Sequence, residues 1–175
     1  MNINSYRKLT GATRAKLDTQ LLDSIHCVLG LISELLHEYA KATTPANERE
    51  ELGDANWFAA EYCNIWGIET PDKFHIHPDI GLDVTQLTSL LGELADLDKD
   101  ALVYGREQPL SERRRVILLI WQIIETLTIG AGYDSEETRE INLKKLIKRF
   151  GDRFSVHAAN NRDLQAELEI LSQGL

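Results

Sequence analysis

Apolar residues recur at Leu17, Leu21, Ile25, Val28, Ile32, Leu35 and Tyr39. Steps of three and four predict one long amphipathic helix or a close pair of helices. The stretch TTPAN interrupts the pattern, with Asn47 a candidate cap for a second helix that runs to about Trp66 and stops at Gly67. The proline and glycine content of GIETPDKFHIHPDIGLD marks a loop. A third helix is expected over about Val84 to Tyr104, ended by GREQP, and a fourth over about Leu110 to Ile129. That fourth helix contains VILLIW, apolar on every side and therefore central. In GAGYDSEE a turn leads into acidic residues that favour a helix start. A fifth helix then carries TREINLKKLIKRF, and a short last one RDLQAELEILSQ. No segment alternates as a strand does. The expected class is all-α, a bundle of about five to six helices.

At 175 residues the chain fits one domain. Within it, residues 1–70 and 84–155 read as two halves, and 156–175 as a C-terminal helix. LISELLHEYA and LTSLLGELAD each precede a break and then a helix containing a tryptophan, Trp57 or Trp121, which suggests a fused duplication. Nineteen Lys and Arg against 28 Asp and Glu give a formal charge of −9. Such a balance argues against nucleic acid as a partner and suits a protein that attracts cations. No apolar run approaches the ~20 residues that span a bilayer, and the first residues lack the apolar core of a signal peptide. Cys27 and Cys63 match no metal or disulfide spacing. Two reduced thiols and a cytoplasmic location are expected.

The chemistry-bearing residues cluster on the first two helices. Glu34, His37 and Glu38 fall within one helical turn, on a side shared with Cys27, Gly30 and Leu31. Glu51 and Asp54, three residues apart, project from one face of the next helix. That face also carries Ala55, Phe58, Glu61, Tyr62 and Ile65. A carboxylate on a packing face needs a cation or a donor, because burying it alone costs several kcal/mol. Salt bridges and a solvated helix face remain open as alternatives. If the two helices pack together, Glu34, Glu38, Glu51 and Asp54 form an oxygen-rich cluster suited to Mg²⁺ or Mn²⁺ rather than zinc.

GLISELLHE followed by EELGDANWFAAEYCNIWGI resembles the MazG-like all-α nucleoside triphosphate pyrophosphohydrolases, a superfamily that includes the dimeric dUTPases and the phosphoribosyl-ATP pyrophosphatases. The signature there is ExxE on one helix and ExxD on the next. Glu51, Leu52, Gly53, Asp54, Trp57, Asn64, Gly67 and Ile68 match without a gap. GYDSEETREINLKKLIKRFGDRFS is similar to the terminal helix of that family. The likeness covers roughly Gly30 to Ile68 and Leu87 to Ser155.

The resemblance implies hydrolysis of a (d)NTP to a (d)NMP and pyrophosphate with Mg²⁺, and it allows a homodimer. Glu34, Glu38, Glu51 and Asp54 would then be metal ligands, with Glu38 and Glu51 catalytic. Asn64, Asn142, Lys145, Lys148 and Arg149 would contact substrate, and His37 and Glu61 would border the site. His37 takes the second ExxE position, so the neighbouring Glu38 is expected to substitute for it. In the second half Glu93 keeps an acid, but Leu90, Arg115 and Leu118 stand where other acids belong, so one working site is expected. Asp98, inside an apolar stripe, suggests a helix end. Three other readings follow from the same residues. Glu34-x-x-His37 is also a di-iron ligand pair, but no second ExxH occurs. His75-x-His77 could hold a stray transition metal in a loop. A nucleotide-binding relative that no longer hydrolyses is the main alternative.

Overall fold

The computed structural model describes residues 1–76, 84–106 and 108–175, and among these no strand occurs. The chain is all-α. Four long helices form the core: α2 (Gln20–Ser33), α4 (Pro45–Trp66), α5 (Val84–Tyr104) and α6 (Leu110–Gly130). Helix α2 packs on α4 and α5, and α6 packs on the same two, closing a four-helix bundle. Helix α1 (Ile3–Thr10) and α7 (Ser135–Phe150) lie against the outside of α4. Between α2 and the short α3 (Tyr39–Lys41) a single π turn, Glu34–Glu38, continues the helix. After α7 come α8 (Val156–Asn160) and α9 (Leu164–Leu171), the latter packed on α7 and α4. No single helix among the described residues is long and apolar enough to cross a membrane.

Helix α4 is covered on several sides, which explains its composition. Leu52, Ala55, Ala59, Ala60, Tyr62 and Cys63 are all fully buried, and alanines let neighbours approach closely. Gly53 is essential to the approach of α7, since a Cβ there would lie 2.9 Å from Cβ of Asn142. The expected VILLIW core is present, with Val116, Ile117, Ile120 and Trp121 fully buried. Trp121 donates through Nε1 to the Asn56 side chain at 2.8 Å.

The structure departs from the sequence expectation at several points. Thr44, not Asn47, caps α4: its hydroxyl accepts from the Asn47 N–H, and Pro45 takes the first helical position. Helix α1 was not expected, because its eight residues are mostly polar; Ile3, Tyr6 and Thr10 nevertheless form a buried stripe. Asp98 does not end a helix. It lies inside α5, 1 % exposed, paired with the buried Arg113 of α6. Ser24 of α2 donates to Asp98 at 2.7 Å, and Arg113 donates to the Tyr62 hydroxyl of α4 at 2.7 Å. The guanidinium also lies 4.0 Å from the ring centroid of Trp66. One buried ion pair thus joins all four bundle helices. His77 of the loop lies outside the described residues.

Candidate metal centre

Glu34, Glu51 and Asp54 come together. One carboxylate oxygen of each lies within 4.8 Å of the others, and all three residues are half-buried. Gly30 makes the meeting of α2 and α4 possible, because a Cβ there would strike the Phe58 ring at 2.3 Å. Glu34 sits at the start of the π turn, where the Tyr39 N–H reaches back to the Glu34 carbonyl. Such turns recur at functional sites because they re-aim side chains without ending the helix.

The three carboxylates carry more negative charge than their surroundings balance. Burial raises the Glu34 carboxyl to about 9, helped by the Asp54 charge and by a hydrogen bond to Glu51. Burial also raises Glu51, although its bond with Glu34 works in the other direction. Protonation of the Glu34–Glu51 pair removes the like-charge repulsion. Asp54 is neutralised differently. The Lys145 ammonium, fully buried, lies 2.6 and 2.7 Å from its two oxygens and 3.1 Å from Glu50. Asn142 also donates to Asp54 at 2.6 Å and accepts from the Tyr6 hydroxyl at 2.6 Å.

The cluster opens onto a cavity of about 700 Å³. Its polar wall includes Glu38, Glu50, Arg149 and Arg162, and its apolar walls include His26, Trp57, Phe58, Phe150 and Phe154. Phe58 stands edge-on to both Trp57 and His26, and Phe150 lies 5.1 Å from Phe154. The C-terminal helix contributes Glu167, which is 2 % exposed. Burial would push its carboxyl up, but hydrogen bonds from Arg149 and Arg162 outweigh that and hold it at about 2.

The expected site residues therefore divide. Glu34, Glu51 and Asp54 form the cluster, and Glu38 lines the cavity without joining it. Glu38 instead accepts or shares a proton with His37 Nδ1 at 2.6 Å, and His37 itself is exposed. Asn142 and Lys145 hold Asp54 rather than facing the cavity, and Arg149 lines it. Lys148 is exposed, well off the face that Asn142, Lys145 and Arg149 share. Glu61 and Asn64 do not border this site. They lie two to three turns further along α4, roughly 10 Å or more beyond Asp54, and line a separate cavity of about 390 Å³. There Glu61 accepts from Thr10 and Asn64 and lies 3.4 Å from Arg14. Tyr6, Glu50, Arg162 and Glu167 were missed, since their roles depend on partners remote in sequence. In the second half, Glu93 pairs with Arg115 at the surface and Leu90 is buried.

No protein family, curated protein or solved structure matches this chain.

The raised Glu34 carboxyl has a stability consequence. Between its ordinary 4.5 and about 9 the folded state binds more protons than the unfolded one, so stability falls as pH rises through that window. Metal-free protein should therefore melt lower as pH climbs from 4.5 to about 9, and Glu34→Gln should flatten the slope. A divalent cation bound at the cluster would have to displace that proton, so any melting shift produced by Mg²⁺ should grow over the same range. Thermal scans in chelator and in excess Mg²⁺ would check both; parallel slopes for wild type and Glu34→Gln would refute the shared proton.

Proposed function

We propose that this protein is a Mg²⁺-dependent nucleoside triphosphate pyrophosphohydrolase of the MazG-like type, converting a (d)NTP and water to a (d)NMP and pyrophosphate. The observation that carries the reading is the meeting of Glu34, Glu51 and Asp54 on the wall of a cavity that also presents arginines and aromatic rings. The donor set fits the cation: three hard carboxylate oxygens, partly buried and short of positive charge, match Mg²⁺ or Mn²⁺. Bound there, the ion would gather phosphate oxygens, offset developing charge and acidify a water.

The chain's own residues supply the rest. Arg149 offers a planar fork that matches phosphate oxygens. Glu38, at the cavity wall, is placed to hold or accept a proton from water. Phe58, Trp57, Phe150 and Phe154 give a planar base apolar faces to lie against. Lys145 acts behind the site, fixing Asp54, and does not need to touch substrate. An acidic chain with two buried free cysteines suits the cytoplasm.

A second reading, a nucleotide-binding relative with little or no turnover, draws support from Lys145. Its ammonium already holds both Asp54 oxygens, and among the described residues three carboxylates, not four, come together in the cluster. A panel of NTPs and dNTPs with Mg²⁺, with products identified, separates the two. NMP plus pyrophosphate supports the enzyme; saturable binding without product supports the relative. If turnover is found, the halves should contribute unequally. Glu38→Gln is expected to lose ~100-fold or more, as for a proton-transfer group, while Glu93→Gln, which removes only a surface pair with Arg115, should change the rate little. Equal losses would mean that both halves build the site.

A further inference from the structure

Arg162 precedes the last helix and carries no signal in the sequence, yet it lines the same cavity as Arg149. The two are braced by one carboxylate. Arg149 donates to Glu167 through Nε at 2.8 Å and Nη2 at 2.6 Å; Arg162 donates through Nε at 3.1 Å and Nη2 at 2.6 Å. Glu167 itself is buried behind them and is not part of the cavity lining. Four hydrogen bonds to one carboxylate exceed what docking α9 requires, because Ile170 and Leu171 already pack that helix against Ala46 and Ile141. The arrangement also reaches the carboxylate cluster: Arg162 lies 3.1 Å from Glu50, which accepts from Lys145, which holds Asp54.

We propose that Arg149 and Arg162, cross-braced by Glu167, form a two-guanidinium oxyanion subsite that takes a phosphate group of an oligophosphate ligand, with Glu167 as its positioning residue. Each arginine spends its Nε and Nη2 on Glu167, Arg162 Nη2 also donates to Glu50 at 3.1 Å, and Nη1 of each makes no hydrogen bond to the protein among the described residues. Bidentate guanidinium–phosphate contacts are strong because both partners are charged and the fork matches the oxygens. A long flexible side chain normally loses rotamer freedom on binding; bracing by Glu167 imposes that loss in advance and favours affinity. Glu50 is the only carboxylate among the described residues that both lines the cavity and pairs with these arginines, and an incoming phosphate would compete with it.

The proposal rests on the preceding function only in taking a phosphate-bearing ligand, so its test uses inorganic tripolyphosphate rather than turnover. Titration calorimetry in a fixed excess of Mg²⁺ compares wild type, Arg162→Gln and Glu167→Gln, with the melting shift produced by Mg²⁺ alone measured beside it. Arg162→Gln should bind tripolyphosphate roughly 10- to 100-fold more weakly, the effect of losing a charge-assisted contact, with the Mg²⁺ shift unchanged. Glu167→Gln keeps side-chain shape and should also weaken binding, again without altering the Mg²⁺ shift. Unchanged affinity in Arg162→Gln overturns the subsite, and this variant, altering a half-exposed side chain, does not depend on the tolerance of α9. Unchanged or tighter binding in Glu167→Gln overturns the bracing role. Weakened tripolyphosphate binding alongside absent NTP hydrolysis would retain the subsite and remove the enzyme reading; the reverse pattern would remove the subsite alone.

Discussion

Glu51→Gln should lose at least ~100-fold of any Mg²⁺-dependent turnover, while its melting temperature in chelator holds or rises. Glu51 is half-buried beside Glu34 and Asp54 and has no basic partner of its own among the described residues. Replacing it with an amide of the same shape removes repulsion in the metal-free state and removes a ligand oxygen in the bound state. The two effects have opposite signs, so one variant reports both. Asp54→Asn is the instructive contrast. It removes the charge that Lys145 grips through two short contacts, and Lys145 is fully buried. Only Glu50 would remain to balance it, and breaking a buried ion pair costs roughly 3–5 kcal/mol. Asp54→Asn should therefore lose stability as well as metal response. Near-full activity in Glu51→Gln would end the metal-site assignment.

A stability effect of similar size is expected at the buried ion pair of the bundle. Asp98→Ala leaves Arg113 buried without its carboxylate partner and strips Ser24 of its acceptor. A loss of roughly 3–5 kcal/mol follows from the uncompensated charge, large against the marginal stability of a domain. The double variant Asp98→Leu with Arg113→Met should recover much of that loss, because apolar residues of similar volume can replace a buried pair. Urea unfolding measures both. A single variant within ~0.5 kcal/mol of wild type, the range usual for surface changes, would show that the pair does not hold the bundle together. Neither variant should change the melting shift produced by Mg²⁺, since the pair and the cluster share no residue.

The long helices were legible because each buries a sustained apolar stripe. Helices α5, α6 and α7 begin and end close to where the periodicity and the turn residues place them. The cluster was legible for a related reason: acids on a packing face demand an explanation, and Glu51 and Asp54 proved to face Glu34. What periodicity cannot give is position along the axis. Glu61 shares a face with Asp54, but it lies about two turns further along the helix and lines a different cavity. Charge partners were equally hidden. The resemblance implies a substrate contact for Lys145, yet it is fully buried against Asp54, because Gly53 lets α7 settle against α4. Arg162 and Glu167 find their roles only when the chain's last helix folds back onto α4 and α7.

The π turn at Glu34–Glu38 has a consequence for how this helix is spelled. It holds one residue more than regular α winding would over the same rise, so side chains before and after it are out of phase. An interval of four then does the angular work of an interval of three. Glu34 and Glu38 both front the cavity, while His37, one step short, is turned to solvent. Counting through the turn at 3.6 residues per turn assigns the wrong face to everything after it. Deleting Leu36 would return the helix to regular phase with Glu38 three residues after Glu34, still on the cavity side.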